Sequence, residues 1–421
     1  MSVVEYDIAI VGAGMVGATL AHAVSQIQRP DGRKLSIALI DANPLTTSEH
    51  PGFDARVIAL SYGSQQILQQ FDLWQRIAPM ATAIKHIHVS DRGHWGFTRL
   101  DHSEYNLPAL GQVIELQTVG HILQTALTET SSAKGYVKSG VNSSVKNGTK
   151  KSVNWYCPNK LVAIDRQIEH TDVILDDGQR LRCKLLVGAD GNQSMVRQLT
   201  HVPIEVTDFE QTAIIANVQT SKTHEGKAFE RFTDTGPLAL LPMSNQRSSL
   251  VWSVRSDQAE EIMALDDAAF LARLQQRFGY RLGKFIKMGQ RFSYPLLLTE
   301  ALEPIQYRSV VIGNAAHALH PIAGQGYNLG LRDVAVLQHQ IATAFLAGQD
   351  VGCSAVTQGY WKKRKPDHQK TIWMTTSLAT LFANNYAPLV AARNLALHTM
   401  GYKPEYKRPL ARQALGAFEL F

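Results

Sequence analysis

Two histidines, His317 and His320, stand in the stretch GNAAHALHPIAGQGYNLG (Gly313–Gly330). Imidazoles serve as metal ligands, proton carriers or hydrogen-bonded supports. A metal centre needs further ligands at matching spacing, and no carboxylate or cysteine accompanies this pair. The spacing therefore predicts no metal site and a supporting hydrogen bond for His317. The glycines after Pro321 point elsewhere, to a backbone that must come close to a flat or charged ligand.

A second glycine set lies near the N-terminus. The apolar, β-branched run YDIAIV (6–11) ends at Gly12-Ala-Gly14-Met-Val-Gly17, and ATLAHAVSQI continues at helical spacing. A strand, a GxGxxG turn and a helix in that order suit a dinucleotide. Gly12 permits the tight turn, Gly14 lets the backbone approach a pyrophosphate, and Gly17 lets helix and strand pack closely. The helix N-terminus then offers unpaired N–H groups and partial positive charge. The next strand, KLSIALID, ends in Asp41. Its carboxylate would accept from ribose hydroxyls and repel a 2′-phosphate, which favours FAD or NAD over NADP. On these residues alone both remain open.

Further along, TDVILDDGQRLRCKLLVGAD (171–190) reads as a hairpin with an Asp-Asp-Gly turn and a buried strand. It runs into Gly188-Ala-Asp190-Gly191, with Ser194 and Arg197 at the start of a helix. Taken alone, that segment reads equally well as a strand followed by a capped helix. The third piece is the opening stretch, with a strand at Ser309–Ile312, a turn at Gly313 and a helix from about Asn328.

In order and spacing the three pieces resemble the class A flavoprotein monooxygenases, which share the p-hydroxybenzoate hydroxylase fold. The resemblance implies FAD as the bound dinucleotide, with Asp190 in the family's Asp-Gly motif and Asn328 among the cofactor-binding positions. It implies that Gly313 and Asn314 face the ribityl and phosphate region. Pro321, Ala323, Gly324, Gln325 and Gly326 would lie along the flavin, with His320 near it. Arg56, in HPGFDARVIALSYGS, falls where relatives hold an arginine near the pyrophosphate, and Gln117, in GQVIELQTVGHILQTAL, where they have a flavin-contacting segment. Asn314 departs from the usual Gly-Asp pair: it keeps an acceptor and loses the charge.

HVSDRGHWG (88–96) and AFERFTDTGPLALLPM (228–243) resemble substrate-domain strands of the ubiquinone-biosynthesis hydroxylases, above all those acting on a 2-polyprenyl-6-methoxyphenol. The implied reaction converts such a phenol to the 1,4-benzoquinol, with NAD(P)H and dioxygen as co-substrates. No side chain stands out as the phenol base. A sister hydroxylase for another ring position, a flavin reductase and a non-catalytic flavoprotein of the biosynthetic complex are the alternatives.

Positioning these pieces takes an α/β chain of interleaved domains, as the resemblance implies. A Rossmann-like FAD domain would draw on 1–78, 112–200 and 296–345, and a mostly antiparallel substrate domain on 79–111 and 201–295. A helical region would occupy 346–421. Alternation in TAIIANVQT and SSLVWSV fits the antiparallel sheet. The lysine-bearing stretch 131–152 reads as a surface loop. At 421 residues the chain can bury more than one core. Its charge of +6 is too slight for a nucleic-acid partner. Cys157, Cys183 and Cys353 show no CxxC and fit a reducing, cytoplasmic setting. No apolar run is long enough to span a bilayer. The KKRK run (362–365) reads as a solvated helix start, Leu378, Leu381 and Phe382 as core, and the basic helix as a possible peripheral contact with the inner membrane face.

Overall fold

The computed structural model describes residues 3–44, 56–130, 152–319, 324–383, 386–402 and 404–416. The strand Val4–Val11 pairs in parallel with both Ile37–Ile40 and Arg180–Gly188, and the latter with Ser309–Val311. All of Ile37–Ile40 is buried. Parallel strands covered on both faces need such unbroken apolar runs. Ile8, Ile10, Leu39 and Val187 point to one side, under the helices Met15–Ser25, Leu116–Thr130 and Gln325–Leu346. Ala9, Val11, Ile40 and Leu186 point to the other, under Val196 of the helix Met195–Leu199. Each fully buried Leu or Ile here contributes about 1.5–3 kcal/mol by leaving water.

Among the described residues, a nine-stranded second sheet runs from His317–Ala318 through Phe292–Ala301, Ile204–Thr220, Arg247–Arg255, Gly236–Pro242, Lys227–Thr233 and His86–Asp91 to Phe97–Asp101, with Phe285–Met288 pairing beside Ile204–Thr220 as the ninth. It is antiparallel except where Lys227–Thr233 lies parallel to His86–Asp91. Period-two alternation gives the sheet two faces. Ile214, Leu238, Leu250 and Trp252 pack under the helices Ser256–Ala264 and Asp267–Phe278. Ile215, Ala239 and Val251 face the opposite way, into a cavity. A small sheet of Val57–Ser61, Thr82–Ile84 and Gly111–Glu115 joins the halves. Its Leu60 and Ile114 enter the first core, while Val57 and Val113 pack against Ala228 and Met243 of the second sheet.

The helices Ser354–Ala383, Ala387–Tyr402 and Pro404–Leu415 close over the cavity. Among the described residues no helix is long and apolar enough to cross a membrane. The stretch 131–151 lies outside the described residues.

Candidate functional site

The N-terminal strand leaves the sheet at Gly12, where φ is +99°, and an added Cβ would lie 2.3 Å from the Ala189 carbonyl oxygen. Only glycine fits such a turn without strain. At Gly17 an added Cβ would stand 1.9 Å from the Gly12 carbonyl oxygen, whereas at Gly14 nothing lies within 4 Å. Gly14 and Gly12 both line the cavity. The turn is tied down by Asp41, whose Oδ2 accepts the Ala13 N–H at 2.6 Å and whose Oδ1 accepts the Asn43 N–H at 2.8 Å. Gly17→Ala must push the helix off the strand, overpacking that costs about 1–3 kcal/mol. We expect purified Gly17→Ala to come out with well under a tenth of the wild-type bound flavin, measured by absorbance, while Gly14→Ser folds normally and loses affinity only.

Asp190 has two jobs. Its Oδ2 accepts the Met195 and Val196 N–H groups at 2.7 and 3.2 Å, so it caps the short helix, with Ser194 accepting from Arg197 N. Its Oδ1 is buried and has no partner among the described residues, and burial pushes the carboxyl above its usual range. Arg197 is buried and donates to the Ala315 and Asn192 carbonyls, which binds the second motif to the third. Val16 sits between Gly313 and Gly330, with its Cγ2 at 2.9 and 2.8 Å from the Cβ positions those glycines leave empty. The three motifs therefore converge on one wall.

The third motif differs from its sequence reading in several places. Its helix begins at Gln325, after Gly324 in the left-handed region. Asn328 is a clasp: Oδ1 accepts the Ser61 N–H, and Nδ2 donates to the Ala59 and Gly324 carbonyls. Gln325 is buried with its Nε2 toward the Ala414 carbonyl and does not line the cavity, although Gly324, Gly326 and Asn328 do. Asn314 is exposed and lines it. Arg56 lines it too, with its guanidinium 5.1 Å from the Tyr294 ring centre. Gln117 is exposed on the first turn of its helix, and Leu116 takes the place in the wall. A helix places neighbours about 100° apart, which sets Leu116 inward and Gln117 outward. His320, Pro321 and Ala323 lie outside the described residues.

His317 does find a carboxylate. It is fully buried in a two-residue strand, and its Nε2 donates to Asp333 Oδ2 at 2.8 Å. Asp333, also fully buried, further accepts from His368 Nε2 at 2.7 Å, Arg364 Nε at 2.8 Å and the Gly313 N–H at 3.1 Å. Three of these groups could ligate a metal. Here, however, the carboxylate is filled by N–H donors and a guanidinium, which hold the place of a cation. Burial works to raise the Asp333 carboxyl, but His368, Arg364 and His317 together outweigh it and lower the group well below the ordinary range. Arg332 and Arg364 both pair with Asp367. Two arginines thus balance two aspartates, and a protonated imidazole would be an uncompensated charge. Burial accordingly pushes His368 down to about 4. The network holds the Gly313 turn from behind. Arg364 belongs to the KKRK run, so that run is not wholly solvated: Lys362, Lys363 and Lys365 are exposed and Arg364 is buried.

A cavity of about 1140 Å³ passes from Gly12, Gly14, Asp41 and Asp190 to a chamber under the second sheet. That exceeds the roughly 300–1,000 Å³ of a usual small-molecule pocket, leaving room for a second ligand beside a dinucleotide. The chamber is walled by the sheet on one side and by Met374, Leu378, Leu381, Phe382, Leu397 and Met400 on the other. Phe232 of the sheet stacks on Phe382 at 3.7 Å between ring centres. The helix Ala387–Tyr402 is locked down by a buried pair, Arg393 Nε to Asp91 Oδ2 at 2.8 Å. The cradle fits FAD on its own terms: an open backbone at Gly14, a helix N-terminus behind it, and an orphaned acceptor at Asp190 Oδ1 for a hydroxyl.

The family model described as FAD binding domain matches residues 5–372. Ubiquinone hydroxylase UbiL of Rhodospirillum rubrum is 34% identical over 414 residues, covering 98% of this chain and 90% of that protein. The 3-demethoxyubiquinol 3-hydroxylase of Escherichia coli is 28% identical over 413 residues, 97% and 98% of the two chains. Among solved structures, p-nitrophenol 4-monooxygenase PnpA of Pseudomonas putida superposes with a TM-score of 0.75 at 16% identity over 99% of both chains, a likeness of fold.

Proposed function

This chain belongs to the FAD-binding-domain family of class A flavin monooxygenases, and from that premise we propose that it hydroxylates the ring of a polyprenylated phenol in ubiquinone biosynthesis, taking a 2-polyprenyl-6-methoxyphenol to the 1,4-benzoquinol. The observation that carries this reading is the single cavity that joins a dinucleotide cradle to a deep apolar chamber. A polar phenol would not need six aliphatic and aromatic side chains from the C-terminal helices; a prenyl tail would. The redox chemistry, reduction by NAD(P)H and activation of dioxygen, is what FAD supplies when bound.

The residues of the chain do the rest. The Gly12–Gly17 turn and the N-terminus of Met15–Ser25 receive the pyrophosphate, and Arg56 adds positive charge beside it. Asp41, which accepts the Ala13 and Asn43 backbone N–H groups and the Asn43 amide, would stand at the ribose end of the cradle. Asp190 Oδ1 and Asn314 offer acceptors to the ribityl chain. The sheet and the C-terminal helices exclude water, so that activated oxygen reaches the ring and not solvent. The tail of such a substrate lies in a bilayer, so the protein would meet it at the membrane surface, alone or within a biosynthetic complex.

The test is mass spectrometry of quinone lipids from a host lacking the gene, with and without its restoration. We expect a polyprenyl methoxyphenol to accumulate and to disappear on restoration. Accumulation of an intermediate blocked at another ring carbon would move the enzyme to a sister step, the activity named for the Escherichia coli relative. An unchanged quinone pool would overturn the reading.

A further inference from the structure

The chamber wall contains one feature that neither cofactor binding nor tail binding requires. A single row crosses the second sheet in register: Thr98 pairs with Val89, Val89 with Glu230, Glu230 with Ala239, Ala239 with Val251, and Val251 with Ile215. All six side chains line the cavity. Five are apolar or a hydroxyl, and the sixth is a carboxylic acid in the middle of the sheet. Glu230 has no hydrogen-bond or ion-pair partner among the described residues, yet protein surrounds it; the surface it keeps open faces the cavity.

Charged groups on the elements packed against it are committed elsewhere. Arg393 is held by Asp91, and Lys407 by Glu104 and the Arg99 carbonyl. Arg231, the next residue, points through the sheet to the Arg277 carbonyl on the helix Asp267–Phe278. Among the other ionisable groups in the cavity wall, Asp41, Arg56, Lys160 and Asp190 belong to the cofactor end. A carboxyl enclosed by protein on all but its cavity side, with no partner among the described residues, is costly to keep, and a sheet position gains nothing from it. Its partner must arrive with a ligand.

We propose that Glu230 receives the phenol hydroxyl of the substrate and takes its proton as the ring is hydroxylated. This rests on the reading of the chain as a phenol hydroxylase. In the step, the phenol O–H bond breaks and the proton forms an O–H bond to a Glu230 Oε. The electron pair left on oxygen feeds the ring carbons ortho and para to it, the positions an electrophilic oxygen attacks. When product leaves, Glu230 yields the proton to solvent and is again a carboxylate. Burial alone raises its carboxyl to about 7. That makes it a better base toward a phenol of pKa about 10 than an ordinary glutamate would be, while it remains largely ionised above neutrality.

The experiment uses FAD-loaded wild type, Glu230→Gln and Glu230→Asp, with 2-geranyl-6-methoxyphenol and its methyl ether as probes. Binding is followed by the change in flavin absorbance between pH 5.5 and 8.5. For wild type, Kd for the phenol should fall about tenfold as pH rises through 7, because an ionised carboxylate is the stronger acceptor. The methyl ether, which cannot donate, should bind with a flat profile, as should both probes with Glu230→Gln. Hydroxylation by Glu230→Gln should drop roughly 100-fold in kcat, the scale of a lost general base. Glu230→Asp should retain the pH dependence. A Glu230→Gln variant that keeps the wild-type pH profile, or a kcat within twofold of wild type, would overturn the assignment. If wild type hydroxylates the phenol but binds it with no pH dependence, Glu230 is wrong and the hydroxylase reading stands. If wild type neither binds nor hydroxylates it, the hydroxylase reading falls and takes Glu230 with it.

Discussion

Asp333→Asn should cost about 3–5 kcal/mol, the range for breaking a buried ion pair from one side. A whole domain holds only about 5–15 kcal/mol, so the variant should purify with little flavin and unfold at a clearly lower urea concentration. The cost arises from what stays behind. Arg364 would remain buried opposite a neutral amide, and the Asn NH2 would meet the N–H of an imidazole or guanidinium that now has no acceptor. Adding Arg364→Met should restore a good part of the loss, since it removes the stranded charge; an urea midpoint for Asp333→Asn equal to wild type would show that the network carries no stability.

The same network sets a pH limit. His368 has its folded-state pKa depressed to about 4, below the usual imidazole value of about 6.5. Protons therefore prefer the unfolded chain. The contribution from neutral His368 is fully present above about pH 6.5 and is lost as pH falls toward 4, a span worth at most about 3 kcal/mol. Asp333 works in the same direction at lower pH, since its depressed carboxyl holds the fold until it is protonated. His368→Gln should flatten the slope of the urea midpoint between pH 6.5 and 4.5 while lowering the midpoint itself.

Much of the cradle could be read from the sequence because its signals are local. A strand, three glycines and a helix occupy Val4 to Ser25, and the steric reasons for Gly12 and Gly17 lie within that unit or against Ala189. The network could not be read this way. Asp333 is 16 residues from His317 and 35 from His368, and only the packing of Gln325–Leu346 against Ser354–Ala383 brings them together. The KKRK run misled for a related reason. Four successive residues turn through more than one helical turn, so a helix packed on one side must bury one of them, and which one depends on the neighbour. Gln117 stands exposed on the first turn of its helix, where the neighbouring Leu116 takes the wall position. Glu230 lies in AFERFT, where period two sets it on one face with Ala228 and Phe232, opposite Phe229 and Arg231. That face is roofed by helices more than a hundred residues later in the chain.

Glu230→Gln should make the protein more stable above neutral pH, by about 2–3 kcal/mol. The sign follows from the direction of the shift. Burial raises the folded-state carboxyl from its ordinary 4.5 to about 7, so the folded state holds its proton more tightly than the unfolded chain does. Below about pH 4.5 both states are protonated and glutamate costs little. As pH rises from 4.5 to 7 the unfolded chain ionises freely, the folded one ionises only against its surroundings, and stability declines. Above 7 the full penalty is in place, less whatever water in the cavity screens. Glutamine carries no such charge, so the gap between variant and wild type should open across that window and stay constant beyond it. Thermal and urea unfolding at pH 5 and pH 8 measure it, and equal midpoint differences at the two values would contradict it. Asp333 and Glu230 thus make opposite use of burial. The first carboxylate is surrounded by donors, and its removal destabilises the fold; the second is left bare toward the substrate chamber, and its removal relieves the fold. A carboxylate that costs stability at the pH where the protein works must serve something other than folding, and the chamber it faces says where that service is given.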